Sequence, residues 1–96
     1  MKILTIGRDG ADIVLKDKNK EVSRLHAELT ITDNGSYYLV DCGSSNGTSI
    51  QLQNGWKPIK QEYVRADDRI RFGGSYTTTI RELLGETLSA AGTRMR

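Results

Sequence analysis

The chain has 96 residues, 36% of them apolar, and 14 Lys and Arg against 12 Asp and Glu give a formal net charge of +2. That length suits one domain with a small core, and a charge so near neutral argues against a nucleic-acid surface. The lone cysteine, Cys42, excludes an intramolecular disulfide framework, and one histidine leaves little for a zinc site, so neither metal nor cofactor is expected.

From the N-terminus, the apolar run Ile3 to Ile6 stops at Gly7-Arg8, far short of a signal-peptide core or a membrane span. A cytoplasmic location without direct membrane binding is the default expectation. Ile13 to Leu15 is a second short run. From Leu25 the chain alternates, with Leu25, Ala27, Leu29 and Ile31 against His26, Glu28, Thr30 and Thr32, which predicts a half-buried strand. Asp33-Asn34-Gly35-Ser36 follows, and Asn-Gly suits the positive-φ positions of a tight hairpin turn. The return strand is expected from Tyr37 to Cys42, with alternation from Tyr38 and Val40 placing the Cys42 thiol in the core.

Thr48 to Leu52, Ile70 to Phe72 and Tyr76 to Leu83 supply further β-branched or aromatic runs, most of them separated by Gly, Asn and Asp. Trp56 reads as a packing residue or a recognition aromatic. Many short strands punctuated by turns predict an all-β sandwich of two antiparallel sheets over residues 1–84. Residues 85–96, with Ala90 and Ala91, break the pattern and read as a flexible tail or linker.

An antiparallel hairpin closed at Asn34-Gly35 brings the start of its first strand beside the end of its second. Ser23 and Arg24 are therefore expected close to Gly43, Ser44, Ser45 and Asn46, on loops at one rim of a rigid scaffold, where binding sites are commonly built.

Three segments in this order, Gly7-Arg8 in TIGR, Ser23-Arg24-Leu25-His26 in VSRLHAEL and Gly43 to Thr48 in DCGSSNGT, resemble the forkhead-associated (FHA) domain family. Asp67 to Gly73, DDRIRFG, is a later echo, and the resemblance spans residues 1–84. It implies an FHA-like sandwich, shortened at its N-terminal edge because only Met1 to Ile6 precede Gly7. It also implies that the Arg8 loop joins the other two at the rim. Arg8, Ser23 and Arg24 would then contact or electrostatically support a phosphate, Ser45 and Asn46 would contact the phosphate region and the peptide backbone, and Gly7, His26, Gly47 and Thr48 would shape the site. Ser45 stands where the family often has Thr, keeping the hydroxyl and losing a methyl.

These residue types suit a phosphoryl group of about −1.5 to −2 charge at neutral pH. Arginine supplies charge and directional donors, serine an adjustable hydroxyl, and asparagine can donate to and accept from a peptide group. As a hydrolytic set they are poor, because no second histidine and no nucleophile-base motif accompanies them. The expected function is thus a non-catalytic module that binds phosphothreonine-containing protein segments. The main alternative is an FHA-like module for phosphorylation-independent assembly through a sheet face. Asp9, Asp12, Asp17 and Glu21, interleaved with Lys16, Lys18 and Lys20, give the rim mixed charge that suits discrimination among peptides.

Overall fold

The computed structural model of the protein describes residues 1–85. Nine strands run β1 Lys2–Gly7, β2 Ile13–Val14, β3 Ala27–Ile31, β4 Tyr37–Asp41, β5 Thr48–Leu52, β6 Gly55–Ile59, β7 Gln61–Val64, β8 Ile70–Phe72 and β9 Tyr76–Thr78. They form a five-stranded sheet ordered β2-β1-β3-β4-β7 and a four-stranded sheet ordered β6-β5-β8-β9. All pairings are antiparallel except β1 with β2, and the two-residue β2 is one edge of the five-stranded sheet.

Alternation decides which residues fill the space between the sheets. Ile6, Ala27, Leu29 and Leu39 from the first sheet meet Ile50, Ile70 and Phe72 from the second, and Leu15 and Val22 from the connecting loops complete the cluster. Each fully buried aliphatic or phenyl side chain contributes about 1.5–3 kcal/mol by removal from water. Alternation also turns Tyr38, Val40 and Cys42 outward, opposite to Leu39. Cys42 is therefore half-buried on the outer face and not in the core. Desolvation, with Glu28 and Asp41 nearby, raises its thiol pKa and disfavours the reactive thiolate.

The β3–β4 hairpin has the expected partners but a different turn. Thr32 N–H donates to Ser36 O at 2.9 Å and Gly35 N–H to Thr32 O at 3.0 Å, so Asp33, Asn34 and Gly35 form a three-residue loop. Only Gly35 has positive φ, at 85°; Asn34 remains on the ordinary side of the Ramachandran map.

One further expectation changes. The run Tyr76 to Leu83 is a strand only to Thr78, and residues 80–85 are helical. The cause is a capping box: Glu82 N–H donates to Thr79 Oγ1 and Thr79 N–H to Glu82 Oε1, both at 3.1 Å. Ile80 and Leu83, three residues apart on this turn, are both buried beneath the sandwich. Strand β6 holds Pro58, which a central strand would exclude; β6 is an edge strand, where the missing N–H leaves no ladder position empty. The expected tail at 85–96 lies outside the described residues apart from Gly85. Among the described residues no helix is long and apolar enough to cross a membrane.

Candidate functional site

Four connections meet at one rim: the start of β1–β2 with Arg8, the long β2–β3 connection, the β4–β5 loop and the β8–β9 turn. His26 joins three of them. Its backbone N–H donates to Ile6 O at 2.8 Å and its carbonyl accepts from Cys42 N–H at 2.8 Å. The fully buried ring accepts from Ser23 N–H through Nδ1 at 3.0 Å, so the ring proton sits on Nε2, which donates to Gly47 O at 2.9 Å. Phe72 meets the ring edge-on, with centroids 5.5 Å apart. His26 thus occupies the position of a structural brace, with neither ring nitrogen left for catalysis.

Asp41, at the end of β4, shapes the next loop. Its carboxylate accepts from Gly43 N–H, Ser44 N–H, the Ser44 hydroxyl at 2.6 Å and the Thr48 hydroxyl at 2.7 Å. The Ser44 oxygen in turn accepts from Gly47 N–H at 3.0 Å, which closes residues 44–47 into a fixed turn. Partial burial opposes ionisation of Asp41, but the bonds from Ser44 and Thr48, with His26 nearby, outweigh it and hold the carboxyl below its ordinary pKa. Asp17 does the same for the β2–β3 connection: it accepts from Asn19, Glu21 and Val22 N–H groups. Desolvation works against its charge, but these bonds and the neighbouring Arg8 prevail and lower its pKa.

On this frame stand the residues singled out from the sequence. Gly7 is buried against Arg24, whose carbonyl oxygen would lie 1.8 Å from any Cβ at position 7. Arg8 donates from its backbone to Ser23 O and from Nε to Val22 O, both at 3.0 Å. Its terminal guanidinium nitrogens donate no hydrogen bond among the described residues, though the Asp17 carboxylate lies near enough to feel their charge. Arg24 is exposed, and its guanidinium is unpaired among the described residues. Ser45 N–H donates to Ser23 Oγ at 3.1 Å, joining the two serines across the rim, and neither hydroxyl donates a hydrogen bond among the described residues. Asn46 donates from Nδ2 to Glu21 O at 2.9 Å and keeps its side-chain carbonyl for an outside donor. Thr48, buried, is held by Asp41.

Beside this loop lies an open depression of ≈ 400 Å³, lined by Asp41, residues 44–48, Pro58, Ile59 and Lys60. The β8–β9 turn enters the rim through Ser75, whose hydroxyl donates to Glu21 Oε1 at 2.8 Å, and through Gly73 N–H, which donates to Gly47 O at 2.9 Å. Chemically, the rim offers fixed donors from guanidinium and hydroxyl groups to an anion, and an amide edge to an extended chain. Among the described residues no group of three or more His, Cys, Asp and Glu is placed to hold a metal ion.

Sequence reasoning missed Asp41 and the Glu21–Ser75 contact, and read Asp17 as a rim charge where the structure makes it the acceptor of three backbone N–H bonds. Asp41 carried a signal, since an aspartate two residues before Gly-Ser is a common acceptor for the N–H groups two and three residues on, and Asp17 accepts from Asn19 N–H two residues on in the same way. Glu21–Ser75 joins residues 54 apart in sequence and has no local signature.

Comparison with known proteins is consistent with this geometry. The family model described as the FHA domain matches residues 4–73. Among solved structures, the chain is similar to the FHA domain of the CT664 protein from Chlamydia trachomatis, with 34% identity over 75% of this chain and 68% of that one, at a TM-score of 0.64. The FhaA FHA domain, solved in complex with the intracellular domain of Rv3910, is 33% identical over 74% of this chain and 71% of that one, at a TM-score of 0.60. An FHA domain from a study of phosphothreonine-dependent interactions is 33% identical over 78% of this chain and 72% of that one, at a TM-score of 0.62. Comparison with curated protein sequences gave no match.

Proposed function

The chain belongs to the FHA domain family, and we propose that it is a phosphothreonine-peptide-binding module that mediates phosphorylation-dependent protein–protein interaction. The observation that carries this reading is the presence on one rim of Arg8, whose terminal guanidinium nitrogens donate no hydrogen bond among the described residues, and of Arg24, whose guanidinium is unpaired there, with the Ser23 and Ser45 hydroxyls. A phosphoryl group supplies the missing partner, because three oxygens and about −1.5 to −2 charge can accept from all four at once. Asn46 then holds the peptide backbone through its free carbonyl, and the depression beside it receives a flanking side chain. The module acts by binding alone. The relatives solved with a partner domain or in phosphothreonine-dependent interactions support this reading by analogy.

The test is a binding screen with degenerate phosphothreonine peptides and matched unphosphorylated controls. The reading expects affinity only with phosphate, weakening as salt rises or as the phosphate is protonated near its second pKa of about 6. One feature favours a second reading. Ile3, Thr30, Tyr38 and Tyr63 lie in register across the outer face of the five-stranded sheet, with Ile3 55% and Tyr63 65% exposed. Tyr38 and Tyr63 pack ring on ring, with centroids 4.7 Å apart. A partner bound equally well after dephosphorylation would assign function to that face.

A further inference from the structure

The outer face of the four-stranded sheet carries a second set of unpaired donors, on Arg71 of β8. Its guanidinium lies over the ring of Trp56 on β6, 4.5 Å from the centroid, within the range of a cation–π contact. Strand β5 runs between them and presents Ser49, opposite Arg71, and Gln51, opposite Trp56. The Arg71 side chain therefore reaches diagonally across β5 to lie over the indole. Its Nε is buried without a hydrogen-bond partner, and the guanidinium makes no ion pair or hydrogen bond among the described residues. A buried, unpartnered N–H is costly, and a charged one more so, unless something else supplies the acceptor.

The surroundings select the chemistry of that acceptor. The outward residues of this sheet are Ser49, Gln51, Trp56, Pro58, Arg71 and Thr77, with no carboxylate among them, and the exposed Arg69 falls on the same side by alternation. A planar guanidinium fixed on an aromatic ring is pre-ordered for a carboxylate and loses little freedom on pairing. The face is also continuous with the rim. Pro58 lines the depression beside Ser45 and Asn46, Pro58 is the cross-strand partner of Ser49, and Ser49 that of Arg71. A chain leaving Asn46 through the depression thus runs onto Arg71.

We infer that Arg71, stacked on Trp56, is a specificity-determining residue that pairs with an acidic side chain flanking the phosphothreonine of the bound partner. This rests on the phosphothreonine reading above and extends its site from the rim onto the sheet. The two arginines at the rim read the phosphate; Arg71 reads the sequence beside it.

The test uses one phosphothreonine peptide with neutral flanks and a series carrying a single glutamate at each flanking position in turn. Glutamate at a short run of positions on one flank should tighten binding about two- to fivefold, and Arg71→Gln should abolish that gain. Trp56 is the only tryptophan, so its fluorescence should shift with the favoured glutamate peptide and not with the neutral one. If Arg71→Gln fails to fold, the fluorescence contrast in the unaltered protein still decides. A series in which no glutamate improves on a neutral phosphopeptide that binds would overturn the inference and leave the phosphothreonine reading standing. A gain that survives Arg71→Gln, or tryptophan emission indifferent to the glutamate, would overturn it as well. Absence of binding by every phosphopeptide would instead remove the phosphothreonine reading, and this inference with it.

Discussion

Replacing Gly7 with alanine tests whether the rim is built by close backbone contact. The new Cβ would lie 1.8 Å from Arg24 O and 2.6 Å from Arg24 C, whereas ordinary contact begins at 3.4 Å, so one of the two chains must move by about 1.6 Å. Both obstacles are backbone, so no rotamer change relieves the clash. The displaced segment is held on either side by Arg8 N–H to Ser23 O at 3.0 Å and His26 N–H to Ile6 O at 2.8 Å. Overpacking of this kind costs about 1–3 kcal/mol, and the two strained hydrogen bonds about 1 kcal/mol each. Alanine returns about 0.4–1 kcal/mol by restricting the unfolded chain. The net loss is about 2–5 kcal/mol, a drop in Tm of order 10–35 °C for a domain of this size. Urea denaturation and calorimetry measure it, and phosphopeptide titration well below the new Tm should show weakened binding because Ser23 and Arg24 have moved. A Gly7→Ala protein within about 0.5 kcal/mol of the original and with unchanged affinity would refute the reasoning.

Other substitutions separate contact from support. Arg8→Ala should weaken phosphopeptide binding by about 1.5–3 kcal/mol, tenfold to more than a hundredfold, while losing only the part-buried bond to Val22 O, so its Tm falls by a few degrees. His26→Ala should cost about 3–5 kcal/mol of stability, since it opens a cavity, orphans Ser23 N–H and takes from Gly47 O one of its two donors; thermal melts paired with titrations distinguish the two variants. Phosphothreonine should bind about fourfold better than phosphoserine in the same peptide if its methyl, worth about 0.8 kcal/mol, is buried, and equal heats and affinities by calorimetry would reject methyl recognition. The Asp41 carboxyl has a folded pKa below its ordinary value, so its contribution to stability is fully present above the unfolded value, about 3.9, and is lost as pH falls through the folded one. Melts of the protein and of Asp41→Asn should therefore differ at neutral pH and converge in acid below about pH 4; a constant difference down to pH 2 would place the effect elsewhere.

The strands with clean alternation, Ala27 to Ile31 and Thr48 to Leu52, were legible because a one-residue slip would expose an entire apolar row. β6 and β7 were not, since GWKPI and QEYV mix charge, proline and aromatics and take their strand character from pairing with β5 and β4. The Thr79…Glu82 capping box was written in the sequence, but β-branched Thr77 to Ile80 overrode it in the reading. His26 and Leu25 exchange their expected environments: the ring is fully buried and Leu25 is 50% exposed. Strand periodicity does not extend to these residues, because they precede β3. At the rim, the hairpin argument alone brought Ser23 beside Ser45. The approach of Arg8 through β1, and of Glu21 to Ser75, depends on sheet order, which alternation does not encode.

The carbonyl of Gly47 accepts twice, from the His26 ring on the five-stranded side and from Gly73 N–H on the four-stranded side. One oxygen, with a lone pair committed to each half of the sandwich, thus sits between Asn46 and the core. Parting the sheets at this end breaks a bond that holds the loop, and disordering the loop removes one link between the sheets. Occupancy of the rim is therefore felt as cohesion between the two layers, so a bound partner should slow amide exchange at Gly73, which touches no ligand, as much as in the loop that does.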